Sequence, residues 1–90
     1  MLRLNASTAY KKDLKKCNKR HCDLSKLNVV IDILRIPEPL PETYKDHALV
    51  GSWIPNRECH IEPDWLLIYY QTDTDLYLTR TGTHSDLLKM

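Results

Sequence analysis

Three histidines in the second half of this 90-residue chain, His47, His60 and His84, share that half with Asp64, Arg57 and Arg80. Imidazole is the side chain best suited to moving protons near neutral pH. A guanidinium group holds a phosphate through paired N–H donors. Two proton carriers and one cation are what in-line cleavage of RNA requires. A base takes the proton of the 2′-hydroxyl, the cation stabilises the charged phosphorane, and an acid protonates the departing 5′-oxygen. Each residue taken singly also has an ordinary alternative: a surface histidine, an arginine paired with an acid or, for Asp64 after Pro63, a turn residue. His21 belongs with those ordinary cases, because it lies in a basic helix-turn region. Trp53, Trp65 and Tyr69 read more readily as core residues than as platforms for base stacking.

Other chemistries fit the spacing less well. A zinc site from His47, Cys59, His60 and His84 is conceivable, but Cys59 and His60 are adjacent and point to opposite faces of a strand. No H-E-x-x-H or paired C-x-x-C pattern occurs. The expectation is therefore no metal and no cofactor. A Ser-His-Asp hydrolase lacks its G-x-S-x-G elbow.

The elements that must carry these residues follow from periodicity. Leu2 to Leu4 reads as a short opening strand, and Asn5 or Ser7 can cap the helix after it. Tyr10, Leu14 and Cys17 form a narrow apolar stripe at helical spacing. Asp23 caps a second helix in which Leu24, Leu27, Ile31 and Leu34 repeat, with Val30 and Ile33 widening the face. Pro37 ends it, and Pro37, Pro39 and Pro41 make an extended connector. Strands are predicted over 48–53, 57–61, 65–72 and 76–81, separated by Pro55-Asn56, Glu62-Pro63-Asp64 and Asp73-Thr74-Asp75. The 65–72 segment is apolar on both faces, as a central strand should be. Gly82 breaks the last strand, and residues 84–89 read as a short helical turn. A strand, two helices and an antiparallel meander make an α+β chain, read as one domain over residues 1–90.

A domain this small buries only about 60–65% of the surface its unfolded chain exposes, so its core is thin and a partner can add stability. Thirteen Lys and Arg against twelve Asp and Glu leave a net charge of +1, too little to announce nucleic-acid binding by itself. Lys11, Lys12, Lys15, Lys16, Lys19 and Arg20 nevertheless crowd into one stretch with only Asp13 among them. Such a patch can attract phosphates, or it is simply a solvated helix face. Cys17, Cys22 and Cys59, odd in number and without C-x-x-C spacing, predict free thiols in a reducing compartment rather than a disulfide framework. The opening Met-Leu-Arg-Leu-Asn has no signal-peptide apolar core. The longest apolar run, Trp65 to Tyr70, is strand-sized and too short to span a membrane. The expected location is the cytosol.

Six segments then occur in order: Tyr44-Lys45-Asp46-His47, Gly51-Ser52-Trp53, Arg57-Glu58-Cys59-His60, Ile61-Glu62-Pro63-Asp64-Trp65, Leu67-Ile68-Tyr69 and Arg80-Thr81-Gly82-Thr83-His84. As a set they resemble the YafQ group of toxins in the RelE/ParE superfamily, over about Tyr44 to Leu88. The first half is similar only in pattern. The resemblance implies two N-terminal helices packed on a twisted antiparallel sheet. It implies the toxin of a type II toxin–antitoxin pair, an endoribonuclease that cleaves messenger RNA on the ribosome by 2′-hydroxyl attack, without a metal. It also implies a cognate antitoxin as partner in a hetero-oligomer. By motif, His47 matches the family's Asp-His segment, His60 and Asp64 its His-x-x-x-Asp segment, and Arg80 and His84 its Arg-x-Gly-x-His segment. These five are the expected catalytic residues. His84 would move a proton at the scissile phosphate, Arg80 would neutralise it, and Asp64 and His60 would handle the other proton or orient the ribose. Lys45, Arg57, Trp65 and Leu88 are the expected substrate contacts, Leu88 standing where the family often has an aromatic residue. The rival readings are a ParE-like toxin acting on gyrase and a non-enzymatic repressor module built on the basic helices.

Overall fold

A computed structural model describes residues 1–88, with the side chain of Leu88 outside that description. The elements run β1 (Arg3–Ala6), α1 (Thr8–Lys19), α2 (Leu24–Arg35), a 3-10 turn (Glu42–Tyr44), β2 (His47–Ala48), a second 3-10 turn (Gly51–Trp53), β3 (Arg57–Glu62), β4 (Trp65–Gln71), β5 (Asp75–Gly82) and α3 (His84–Leu88). Ser7 caps α1, its hydroxyl accepting from the Tyr10 N–H at 2.9 Å. Asp23 caps α2 by accepting from the Ser25 N–H at 3.1 Å. No helix among the described residues is long and apolar enough to cross a membrane.

The C-terminus of α1 departs from the cysteine expectation. His21 takes a left-handed φ of 61°. The Cys22 N–H then donates to the Cys17 carbonyl, and the His21 N–H to the Asn18 carbonyl, both at 3.1 Å. This pair of bonds is the αL helix end that satisfies two orphan carbonyls. It folds Cys22 back over the last turn, where the Cys17 and Cys22 sulfurs join as a disulfide. Cys59 stays a free, buried thiol.

The five strands form one sheet in the order β1-β5-β4-β3-β2. The pairs β2·β3, β3·β4 and β4·β5 are antiparallel, as expected. The opening strand, whose direction the sequence left open, runs parallel to β5. The chain re-enters the sheet after the helices as β2, antiparallel to β1, and three antiparallel reversals later β5 runs in the direction of β1. Asp75 fastens the parallel edge, accepting from the Asn5 amide at 2.9 Å and the Arg3 guanidinium at 3.3 Å. The predicted strand over 48–53 is corrected. Only His47 and Ala48 pair with β3. Gly51, at φ 65°, then turns the chain into the second 3-10 turn.

β4 is the central strand and is buried on both faces. On one face Leu67 and Tyr69 join Cys59, Leu76 and Leu78 against Tyr10, Leu27, Val30 and Leu34 of the helices. On the other, Leu66 and Ile68 pack with Leu87, Leu49 and Trp53. The 3-10 turn that replaced the predicted strand is thus what lays Trp53 on the second face.

One irregularity decides where Arg80 goes. Leu78 pairs with Tyr69, but Arg80 pairs with the preceding residue of β4, Ile68. Thr79 is therefore an extra residue in β5. Strict alternation would put Arg80 on the helix face with Leu76 and Leu78. The bulge moves it to the Ile68 face instead. Ser7 satisfies the Thr79 carbonyl by donating its hydroxyl at 2.7 Å, and the Thr79 hydroxyl donates to Asn56 at 2.6 Å.

β5 ends at Gly82, whose φ of 152° is closed to side chains. A Cβ there would also stand 3.2 Å from an Asp86 carboxylate oxygen. Thr83 and Asp86 close a capping box at the start of α3, Thr83 N–H to carboxylate at 3.2 Å and Asp86 N–H to hydroxyl at 3.1 Å. Gly82→Ala should therefore destabilise the fold by about 1–3 kcal/mol, the usual cost of a strained backbone position. Urea unfolding checks this, and an unchanged midpoint would contradict it.

Candidate active site

The strand register builds the site. His47, Glu58, Ile68 and Arg80 form one cross-strand row, each paired with the next. Directly paired residues share a face of the sheet. The neighbouring row runs His60, Leu66, Gly82. Beyond Gly82 the chain turns into α3, which brings His84 beside His60 with ring centroids 5.7 Å apart. His47 lies on the other side of His60, centroids 6.4 Å apart. The three imidazoles thus make a line across the face opposite α1 and α2.

Each outer ring is oriented by an acceptor. His84 Nδ1 lies 2.7 Å from an Asp64 carboxylate oxygen, and the same oxygen accepts the His84 backbone N–H at 3.1 Å. His47 Nδ1 lies 2.8 Å from the Lys45 carbonyl. Carboxylate and carbonyl oxygens only accept, so Nδ1 carries the proton in both rings and Nε2 is the nitrogen left to work. Hydrogen bonds from the His84 ring, and then from its backbone, hold the Asp64 carboxyl below its ordinary value of 3.8.

Glu58 is the residue to which the sequence reading gave no role. Its side chain is 6% exposed, and its carboxylate lies 3.6 Å from His47 Nε2 and 3.5 Å from His60 Nε2. The signal was present: Glu58 and His60 are two apart on a strand and so share a face. Glu58, His60 and His84 offer ligand atoms within 4.8 Å of one another and could hold a metal ion. Cys59 cannot join them. It faces the helix-side core, fully buried, and burial pushes its thiol up to about 12.

The remaining candidates separate into groups. Arg80 lies on the histidine face but is engaged: Asp13 of α1 accepts from its Nε at 2.7 Å and its Nη2 at 3.0 Å, and this bonding raises the guanidinium pKa. Arg57 is tied to Asp46 at 3.3 Å, and the Tyr69 hydroxyl donates to the same carboxylate at 2.7 Å. Lys45 has a left-handed φ of 51° and lines a cleft of about 350 Å³ with Tyr44, His60 and Pro63. Trp65 is not with the histidines. It is 6% exposed in the helix-side core, and its indole N–H donates to the Thr81 hydroxyl at 2.9 Å. The Leu88 side chain lies outside the described residues. Of the basic stretch, Lys16 and Arg20 reach Asp86 at 2.9 and 2.7 Å, which ties the end of α1 to α3.

A sheet with two helices on one face and a line of imidazoles with carboxylates on the other is the frame of a small toxin of type II toxin–antitoxin systems. Residues 2–89 match the family model described as the bacterial toxin of type II toxin–antitoxin systems, YafQ. The chain is 50% identical to the mRNA interferase toxin YafQ of Escherichia coli strain K12 over 82 residues, covering 90% of this chain and 89% of that one. It is 38% identical to a putative toxin YafQ of Haemophilus influenzae, over 93% of this chain and 89% of that one. Among solved structures, a copper-bound mutant toxin from Helicobacter pylori superposes with a TM-score of 0.92 at 48% identity, covering 97% of this chain and 99% of that one. The toxin of the Escherichia coli DinJ–YafQ complex does so with a TM-score of 0.89 at 44% identity, covering 97% and 98%. The chain belongs to the YafQ family of toxins.

The Asp64–His84 bond has a pH signature. A carboxyl whose folded pKa is depressed adds stability that is present above its unfolded value and is lost as pH falls through the folded one. Asp64 should therefore titrate below 3.8, with His84 held throughout the neutral range. In His84→Ala the midpoint should rise part of the way back, because the backbone N–H remains. Carboxyl carbon NMR reads both midpoints, and a wild-type value at or above 3.8 would contradict the geometry.

Proposed function

We propose that this chain is a ribosome-dependent endoribonuclease that cuts messenger RNA by attack of the 2′-hydroxyl on the scissile phosphate, without a metal ion. The observation that carries the reading is the line of three imidazoles with His84 held by Asp64. In the proposed step the 2′-oxygen forms a bond to phosphorus and the bond to the 5′-oxygen breaks. One imidazole takes the 2′-hydroxyl proton and another supplies the proton that the 5′-oxygen needs. His84 Nε2 acts at the scissile phosphate, with Asp64 fixing its ring. His60 handles the second proton or orients the ribose, with Glu58 and His47 beside it. Arg80 neutralises the charge that develops on the phosphate oxygens. Lys45 and Arg57 supply positive charge at the edge of the site. Trp65 supports the Asp64 turn from the core side.

The Escherichia coli relative is named an mRNA interferase toxin, which supports the substrate. The relatives solved as DinJ–YafQ complexes support a cognate antitoxin that holds this chain silent in a hetero-oligomer. A ribosome substrate places the work in the cytosol.

In this scheme a metal ion inhibits. An ion seated on Glu58, His60 and His84 would occupy nitrogens that must exchange protons. Chelation should leave single-turnover cleavage of ribosome-bound messenger RNA intact, and added Zn²⁺ or Cu²⁺ should slow it. Cleavage that disappears on stripping and returns only with Zn²⁺ would overturn the mechanism.

In the same assay His84→Ala should lose roughly 10²–10⁴-fold, the scale of a positioned acid or base. Arg80→Lys should also be impaired, since an ammonium cannot reproduce the guanidinium fork. Thermal melting controls for folding. Near wild-type cutting by folded His84→Ala would remove His84 from the chemistry.

A further inference from the structure

We propose that Asp13, on α1, is a positioning residue for the cleavage step, holding Arg80 by one edge so that its other edge is presented to the phosphate. The inference rests on the reading of Arg80 as the phosphate-neutralising group. Asp13 is the one acid inside the basic stretch 11–20. Its side chain is only 11% exposed and spans from α1 to β5, 67 residues away in sequence.

The chemistry of the fork decides what is left free. A guanidinium has five N–H groups. Asp13 takes the Nε–H and one Nη2–H. The second Nη2–H and both Nη1–H groups remain, and Nη1 meets no protein acceptor among the described residues. One N–H from each of Nη1 and Nη2 forms a second planar fork, which matches two phosphate oxygens. An arginine bound side-on to a carboxylate can thus still bind a phosphate end-on, in a fixed orientation.

Asp13 is itself fixed. The same oxygen that takes the Arg80 Nε–H also accepts the Thr81 backbone N–H at 3.1 Å. That N–H is open because β1 pairs with β5 only as far as Leu78. α1 continues along the edge that β1 leaves, so Asp13 fills a gap in the ladder and grips the side chain that the Thr79 bulge has turned outward. A lysine or an unheld arginine at position 80 would keep the charge but not the direction.

Loss of the grip should act on the rate at saturation rather than on binding, because the fork matters most where charge develops. Single-turnover cleavage of ribosome-bound messenger RNA is measured over a range of toxin concentrations for Asp13→Asn, Arg80→Ala and the double variant. Asp13→Asn should lower the maximal rate by roughly 10²-fold, the scale of a small misplacement, with the half-saturating concentration nearly unchanged. Asp13→Glu should recover part of that loss. In the Arg80→Ala background Asp13→Asn should cost nothing further, since the group it acts through is gone. Near wild-type cutting by Asp13→Asn, or an undiminished effect without Arg80, would overturn the proposal while leaving Arg80 in place. Near wild-type cutting by Arg80→Ala would instead overturn the underlying reading of Arg80. Should the Asp13 variants not fold, nitrogen-15 NMR of the wild-type chain tests the grip directly. The Arg80 Nε–H should exchange slowly with water, and exchange as fast as that of an unpaired surface arginine would refute it.

Discussion

The extra residue at Thr79 is the constraint from which the functional face follows. Without it, the alternation of β5 would carry Arg80 inward with Leu76 and Leu78, against the helices. With it, one strand packs a core for its first half and serves the histidine face for its second. The bulge is held from outside the strand. Ser7, already the cap of α1, donates to the stranded carbonyl, and Asn56 receives the threonine hydroxyl. The start of the first helix and the working end of the last strand are thereby one structural unit, although they are distant in sequence.

A second regularity follows from the first. Several of the cations and one imidazole at or near the site are oriented by a carboxylate: His84 by Asp64, Arg80 by Asp13, Arg57 by Asp46, and Lys16 and Arg20 by Asp86. Such pairs add little stability when exposed, about 0–1 kcal/mol each. Their value here is positional. Four of the twelve acids serve in this way, so part of the positive charge is offset by the groups that aim it. Asp86 shows the arrangement most fully. It completes the capping box of α3 and takes both cations from the end of α1, and the bond to Arg20, then that to Lys16, holds its carboxyl far below the usual range.

What was legible in the sequence was whatever depends on local periodicity. The caps at Ser7 and Asp23, the stripes of α1 and α2, the doubly apolar β4 and the break at Gly82 follow from neighbours in sequence, and the structure has them. The parallel pairing of β1 with β5 was not legible, because it is fixed by contacts 70 and 72 residues apart in sequence, those of Asn5 and Arg3 with Asp75. The Cys17–Cys22 pair was hidden because a left-handed residue, His21, brings a sixth residue back onto a helix end, which counting cysteine spacings does not reveal. The strand predicted over 48–53 failed at Gly51, where a left-handed turn overrides the apolar run. For the candidate site, the histidines and Asp64 stood out as residue types that move protons. Glu58 was in view but unassigned, although alternation alone puts it beside His60. Asp13 could not be found, because nothing local marks an acid in a lysine-rich helix as the partner of an arginine 67 residues on.

The proposed chemistry leaves a mark on its products that depends on neither the fold nor the partner. Attack by the 2′-hydroxyl retains the phosphate on the upstream fragment as a 2′,3′-cyclic ester and releases the downstream fragment with a 5′-hydroxyl. End-group analysis of messenger RNA cut on ribosomes by the metal-stripped toxin reads both ends at once. Upstream fragments ending in the cyclic phosphate, or in the monophosphate it opens to, with 5′-hydroxyl downstream fragments, are what this arrangement of imidazoles predicts. Fragments ending in a 3′-hydroxyl and beginning with a 5′-phosphate would mean that water, not the ribose, attacks, and would contradict it.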